Sequence, residues 1–397
     1  MTDQSSSAVA SLADRWTASS LVLGAGFGLT GAGTVMLGVL LPAILQKWGL
    51  RDDAAGFLFL LQFLGSSLGA ILTGANRVRT LIAGYGLLVA SSGALAFTGL
   101  HALFAIFFFF GLGLGMAMTA TSLLFSDRYG NDRAAVLERL NFAWAAGATA
   151  GPMLFLPFLR LASLSPLFFT FQGLFLLLFV WVIFRERQGA ASVQLVADAS
   201  RPRDPAPLGS LLPLVALAMC AVGIESSLSG WLATYSHRAD PLVAGGAAVS
   251  TALFWFGIML SRLVFSTRLL AIIGRRRLLG ATLCGVAASI ALLILTQQTT
   301  TIRVGSGLAG LSIGPLYPLL LSFILERSPR GWIFAVAGLG SALLPWLTGL
   351  LSAHYGSLRY GLVAPFAAAL LMTVLRSASL RQPETSLRIY RKQSIDL

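Results

Sequence analysis

Charge is what this sequence has least of. Only 11% of its 397 residues are Asp, Glu, Lys or Arg, against about 25% in a soluble domain. Residues of hydrophobic type make up 56%, and the mean hydropathy is +0.81. That balance excludes a soluble globular protein and places most of the chain in a bilayer. Cysteine is nearly absent: Cys220 and Cys284 both lie inside apolar runs, which reads as small core residues rather than a disulfide or metal pair. The three histidines, His101, His237 and His354, fall at outer helix ends. With no Cys/His cluster, no metal site is expected. No Gly-x-x-x-x-Gly-Lys phosphate loop and no Ser/His/Asp set survive inspection, so neither an enzyme, a cofactor nor ATP-driven pumping is expected. No cleavable leader is expected either, because residues 1–20 are polar and the first apolar run is too long for one.

What the chain has instead is long apolar runs. Twelve spans are predicted, from Leu21–Leu45 through Leu211–Tyr235 to Leu358–Leu375, each about the 20 residues a bilayer needs. The expected fold is an all-α membrane protein with twelve transmembrane helices in two six-helix halves. The halves are residues 1–184 and 209–397, joined by a polar, Pro-containing cytoplasmic linker over 185–208. The net charge of +13 is read as loop charge facing the cytoplasm, not as a nucleic-acid surface. With both termini cytoplasmic, six basic residues fall outside, Arg262 falls within the membrane and the other 21 of the 28 fall inside. This predicts an integral protein of the plasma (bacterial inner) membrane.

The halves repeat weakly. At an offset of 192, Gly38 meets Gly230 and Gly65 meets Gly257; at 199, Gly111, Gly115 and Asp127-Arg128 meet Gly310, Gly314 and Glu326-Arg327. Parallel halves of this kind bind substrate between them near the midplane. Glu225 has no counterpart, falling opposite Gly33. It is also the only charge in Leu211–Tyr235, and an intramembrane carboxylate costs roughly 2.5–3.5 kcal/mol or more. A protonatable group in a transport pathway is the functional reading; interhelical hydrogen bonding is the structural one. Ser226, Ser227, Ser229, Trp231 and Tyr235 accompany it, and hydroxyls, a carboxylate and a flat ring suit a polyhydroxylated solute.

Other polar or aromatic residues inside spans are candidate substrate contacts. Gln62, Asn141 and Gln172 need partners that a substrate or a neighbouring helix could supply. Trp144 lies one turn from Asn141, Trp255 and Trp346 lie away from the interfaces, and Tyr317 projects from the break at Gly314-Pro315-Leu316-Tyr317-Pro318. Small residues in Gly147-Ala-Thr-Ala-Gly151-Pro152 predict close helix approach. Arg262 is expected to snorkel to the headgroups. Asp127-Arg128 and Glu326-Arg327 are either interdomain gating contacts or solvated loop charge.

Over nearly its whole length the chain resembles the major facilitator superfamily, in its twelve spans, central linker and basic loops such as Gly274-Arg275-Arg276-Arg277. Gly74-Ala-Asn76-Arg77-Val-Arg79 looks like a shortened form of that superfamily's Gly-x-x-x-Asp-Arg motif, with Asn76 where an acid is expected. Within the superfamily, Val222-Gly223-Ile-Glu225 followed by Trp231, with Leu61-Gln62-Phe63-Leu64-Gly65 and Gly314-Pro315-Leu-Tyr317-Pro318, is most similar to the fucose permease-type sugar porters. The resemblance implies rocker-switch uptake of a neutral hexose-like sugar, proton-coupled or facilitated, by a protein that works as a monomer. Fucose permease uses carboxylates in its first and fourth helices; this chain has none there, which leaves Glu225 to carry coupling with H⁺. Alternatives are an exporter of amphipathic compounds, a hexose uniporter, and a non-transporting receptor or scaffold.

Overall fold

A computed structural model describes residues 18–129, 133–161, 163–187, 208–241, 246–264, 274–327 and 332–379. Within them every regular element is a helix. The helices are α1 (Ala18–Trp48), α2 (Asp52–Ile71), α3 (Arg77–Phe97), α4 (Leu100–Tyr129), α5 (Arg133–Leu159), α6 (Ser165–Arg187) and α7 (Leu208–Ala239). They continue as α8 (Gly246–Val264), α9 (Arg275–Leu295), α10 (Thr299–Ile313), α11 (Leu316–Arg327), α12 (Trp332–Tyr355), α13 (Leu358–Gly361) and α14 (Val363–Ser379). Twelve stretches among the described residues are long and apolar enough to cross a membrane, as the sequence predicts. Backbone polar groups in hydrocarbon must be satisfied within the segment, and the α-helix does so.

Two predicted spans are each two helices. The tenth is α10 followed by α11, because Pro315 and Pro318 supply no N–H to the ladder. The last is the single turn α13 followed by α14. Gly361 ends α13 close to Ser352, whose Cβ would lie 3.1 Å from a Cβ at Gly361. Several helices outrun their predicted ends: α4 extends to Tyr129, and α6 to Arg187, beyond the boundary expected at 184. Residues 188–207, the core of the expected linker, lie outside the described residues. Gly49 and Gly356 close α1 and α12 with φ of 60° and 68°, a left-handed stop that glycine adopts without a Cβ penalty.

The chain enters α1 at one end of the bundle, called here the basic end. Arg77, Arg79, Arg128, Arg185, Arg187, Arg275, Arg276 and Arg277 all lie there. Helices α1–α6 pack among themselves, as do α7–α14. The seams between the two sets are α2 on α12, α5 on α8 and α1 on α7. Close packing at these crossings comes from glycine. A Cβ at Gly38 would lie 3.0 Å from the Cα of Gly230. The two glycines matched by the internal repeat therefore touch each other. As expected of the small-residue face in α5, Gly151 lies against Ala32 of α1, with a Cβ there 3.2 Å from the Ala32 Cα.

Candidate functional site

A cavity of about 860 Å³ lies between the two sets of helices. Its walls run from mid-bundle, at Gly38 and Gly230, to the basic end, at Ala70 and Ile71. From α7 come Val222, Glu225, Ser226, Ser229 and Gly230, the i, i+3, i+4, i+7 stripe of one helical face. Thr34 of α1, Ser66 and Ser67 of α2, Thr119 of α4 and Ser341 of α12 add hydroxyls. Phe59, Phe63, Trp144 and Trp255 supply the aromatic surface.

Among the described residues, Glu225 is the only ionisable one on this wall. Its Oε2 lies 3.6 Å from Nη2 of Arg262 in α8. The side chains are 16% and 26% exposed respectively, so the pair sits at the cavity edge and not in sealed core. Arg262 does not snorkel as expected. Its Nε donates to the carbonyl of Gly314 at 3.4 Å. The cause lies four residues on: in a helix that carbonyl would accept from residue 318, and Pro318 has no N–H. The proline break thus leaves an acceptor that holds the guanidinium near Glu225. Gly314 also lets α8 approach, since a Cβ there would come within 3.1 Å of the Ile258 Cα. Tyr317, just past the break, is within electrostatic reach of both Glu225 and Arg262.

The structure divides the sequence candidates. Trp144 and Trp255 line the cavity and meet each other edge to face, with centroids 5.1 Å apart. Trp255 Nε1 donates to Ser229 Oγ at 3.0 Å. Trp144 Nε1 is buried with no acceptor among the described residues. Trp231 lies on the other face of α7, fully buried, with Nε1 donating to the Pro345 carbonyl at 2.9 Å. Ser227 shares that face and bonds Thr348 at 2.7 Å. Gln62 is buried behind the wall, its Nε2 donating to the Thr34 carbonyl at 3.1 Å. Gln172 packs against Gly93 between α6 and α3, and Asn141 is exposed near the basic end. Trp346 abuts Gly56 along the α2–α12 seam. Trp231, Ser227, Gln62, Gln172, Asn141 and Trp346 are absent from the wall.

At the basic end, Asn76 caps α3, its Oδ1 accepting from the Arg79 backbone N–H at 3.0 Å. Arg77 lies 3.8 Å from Asp127, joining α3 to α4, and Arg128 stacks over Tyr129. The side chains of Glu326 and Arg327, at the end of α11, lie outside the described residues.

The opposite end is shut by residues that sequence reasoning missed. Arg238 at the end of α7 donates to both carboxylate oxygens of Asp52, at 2.7 and 2.6 Å. Ser352 of α12 donates to the same carboxylate. Asp52 is the first residue of α2 and is buried, so one carboxylate ties α2 to both α7 and α12. Beneath it Phe59 meets Trp231, with ring centroids 5.7 Å apart. The missed signal was an acid immediately after the first loop, matched to an arginine closing the seventh span. Of the wall hydroxyls, Ser226 and Ser229 were marked by their neighbour Glu225, whereas Thr34, Ser66, Ser67, Thr119 and Ser341 gave no signal, since Ser and Thr in helices commonly bond back to the preceding turn.

No curated protein matches the sequence. Solved structures match the fold. A peptide transporter of the POT family, in complex with alafosfalin, aligns with TM-score 0.72 at 15% identity over 91% of this chain and 93% of its own. A POT family transporter in complex with 5-aminolevulinic acid aligns with TM-score 0.75 at 14% identity, over 90% and 95%. The nucleoside transporter NupG aligns with TM-score 0.68 at 12% identity, over 91% and 98%. At such identities the likeness establishes the fold. The sequence itself matches the Major Facilitator Superfamily over residues 22–330. Twelve spans, a central cavity closed at one end, and a match across most of the length lead to one conclusion: the chain belongs to the Major Facilitator Superfamily.

Proposed function

We propose that this membrane transporter imports a neutral, polyhydroxylated solute of the monosaccharide class together with a proton. The observation that carries the reading is the Glu225 carboxylate on a wall otherwise furnished with serine and threonine hydroxyls. A carboxylate accepts hydrogen bonds from substrate hydroxyls, and serine and threonine both donate and accept. Placing the basic end in the cytoplasm follows the positive-inside rule. It puts both termini inside and makes the described state inward-open in the bacterial inner membrane. The units 1–184 and 209–397 rock about the cavity on the 185–208 linker, and one copy suffices. Opening outward requires parting Asp52 from Arg238. The acid–arginine pairs at the basic end, Asp127-Arg128 and Glu326-Arg327, are suited to closing the inner side.

Glu225 is the coupling group in this scheme. Protonation removes the charge that faces Arg262, and Arg262 remains tethered to the Gly314 carbonyl. The neutral carboxyl gains an O–H to offer substrate. The resemblance to fucose permease-type porters supports a sugar, and NupG, of like fold, is a nucleoside transporter; a nucleoside contains a pentose. The test is radiolabelled hexose uptake into proteoliposomes with and without an inward proton gradient. Wild type should accumulate sugar only with the gradient, while Glu225→Gln should merely equilibrate it. Equal, gradient-blind equilibration by both would make the protein a uniporter and Glu225 structural.

A second reading, export of amphipathic compounds, is favoured by one observation. An apolar groove of about 350 Å³ lies on the α5–α8 seam, between Met153 and Phe256, both of them lipid-exposed residues. Such a groove suits lateral entry of a greasy solute. Gradient-driven dye efflux without hexose flux would select this reading.

A further inference from the structure

A free hexose presents hydroxyls all round its ring, and transport proteins that enclose one need polar partners on every side. This cavity offers hydroxyls from α1, α2, α4, α7 and α12 but no amide among its described lining residues. Glu225, Ser226 and Ser229 face it from α7, but Ser229 Oγ is already engaged by Trp255. Thr34 is bonded back to the Thr30 carbonyl. The amides that would complete a sugar cage are elsewhere: Gln62 behind the wall, Asn141 and Gln172 remote from it. The aromatic surface is fixed by contacts of its own. Trp144 of α5 and Trp255 of α8 meet edge to face across the seam between the two helix sets, and the Trp255 ring is pinned by its hydrogen bond. Trp144 Nε1 is a buried donor with no acceptor among the described residues, a cost that a turn of the ring toward a ligand acceptor would relieve. The cavity volume, about 860 Å³, lies in the upper range of drug-sized sites and exceeds what one sugar ring fills.

Resting on the sugar reading above, we infer that the preferred substrate is a glycoside, a sugar carrying a flat aromatic group. The ring stacks at Trp144 and Trp255 while the sugar turns to Glu225 and the serines. Once the Trp144 ring turns to bring its buried Nε1 to the cavity, the atom that joins sugar to ring, or a ring heteroatom beside it, accepts from that N–H. The aromatic group can be O-linked, as in an aryl glycoside, or N-linked, as in a nucleoside. Because the tryptophans belong to different helix sets, a ring seated there contacts both and reports occupancy to both.

The experiment measures affinity of the purified full-length protein for matched pairs. These are glucose and phenyl β-glucoside, galactose and phenyl β-galactoside, and ribose and adenosine. Tryptophan fluorescence and protection against heat unfolding are the readouts, with phenol as the control that has a ring and no sugar. At least one aromatic glycoside should bind about tenfold more tightly than its free sugar, the scale expected of an added aromatic contact. Trp144→Leu should erase that preference, so that each glycoside binds no more tightly than its free sugar. Trp144→Phe, a milder change should the first variant misfold, should keep part of the preference. Preference for adenosine over both phenyl glycosides assigns the N-linked class, and the reverse assigns the O-linked class. If every free sugar binds as tightly as its partner, or if Trp144→Leu and Trp144→Phe both keep the full preference, the glycoside inference falls and the monosaccharide reading stands. If phenol binds while no sugar in any form does, or nothing binds, both fall.

Discussion

Arg262 is the residue whose role changes most between one dimension and three. A basic residue a turn from a helix end has an ordinary home among headgroups, and nothing in the sequence marks it as the partner of Glu225. The structure brings the pair to 3.6 Å. Removing one member leaves the other charge exposed to the cavity but unpaired. With the arginine about a quarter exposed, the cost should fall near 1–3 kcal/mol, below that of a fully buried pair. Arg262→Gln should therefore lower the melting temperature by several degrees. The double variant with Glu225→Gln should recover most of that loss, a coupling that a thermodynamic cycle measures directly. Additive losses would mean that the two side chains do not interact. Glu225 itself was legible because it stands alone in an apolar run. The amides were misplaced for a physical reason. An amide held by a neighbouring helix, as Gln62 is through Nε2 to the Thr34 carbonyl while its Oε1 has no partner among the described residues, and one that awaits substrate look alike in a sequence.

Among the elements, the tenth span shows how a break can be functional without touching substrate. Its prolines announce a kink, and the kink was legible. What was hidden is that Pro318 orphans the Gly314 carbonyl, which then accepts from Arg262 at 3.4 Å. Pro318→Ala would supply the missing N–H and let α11 run back through the break. A proline in a helix interior costs up to about 3 kcal/mol relative to alanine, so the variant should be as stable as wild type or more so. Its gradient-driven uptake should nonetheless fall severalfold, because the arginine loses its tether. Melting temperature and uptake measured on the same preparation decide this. If uptake is unchanged, the tether plays no part in coupling. The helices themselves were readable almost to their ends, since hydrocarbon leaves the backbone little alternative to α-structure. The split of the last span into α13 and α14 was missed although it has the same cause: Pro365, third in α14, supplies no N–H to the Gly361 carbonyl that ends α13.

For the molecule as a whole, the closed end sets the balance between conformations. The bidentate Asp52–Arg238 pair, with Ser352 on the same carboxylate, joins α2 to α7 and α12. Charged hydrogen bonds of this kind contribute about 1.5–3 kcal/mol, less some screening at the half-exposed arginine. Asp52→Asn should shift the population toward the opposite opening by about tenfold. The measure is labelling of Val35→Cys, on the cavity wall, by an impermeant thiol reagent applied at the face opposite the basic end. Cys220 and Cys284 are first replaced by serine. Labelling unchanged by Asp52→Asn would show that the glycine crossings alone hold that end shut. The twelve-span architecture was visible from hydropathy, whereas this latch was not. Its parts lie 186 and 300 residues apart, and each reads alone as a charge or hydroxyl at a helix end.

The glycine crossing of Gly38 on Gly230 has an electrical consequence. Solution entering from the basic end carries that side's potential down to the cavity floor. The membrane voltage must then fall across the remaining layer, from Gly38 to the end of α1 at Trp48, roughly 15 Å of helix. A field confined to so thin a layer is steeper than the bilayer average. When the carrier switches, the thin layer moves to the other side of Glu225, and the carboxylate is transferred across the voltage without itself travelling far. Each elementary charge so transferred is worth about 2.3 kcal/mol per 100 mV. Under the proton coupling proposed for Glu225, transport is electrogenic, and membrane potential drives it even where the two solutions share one pH.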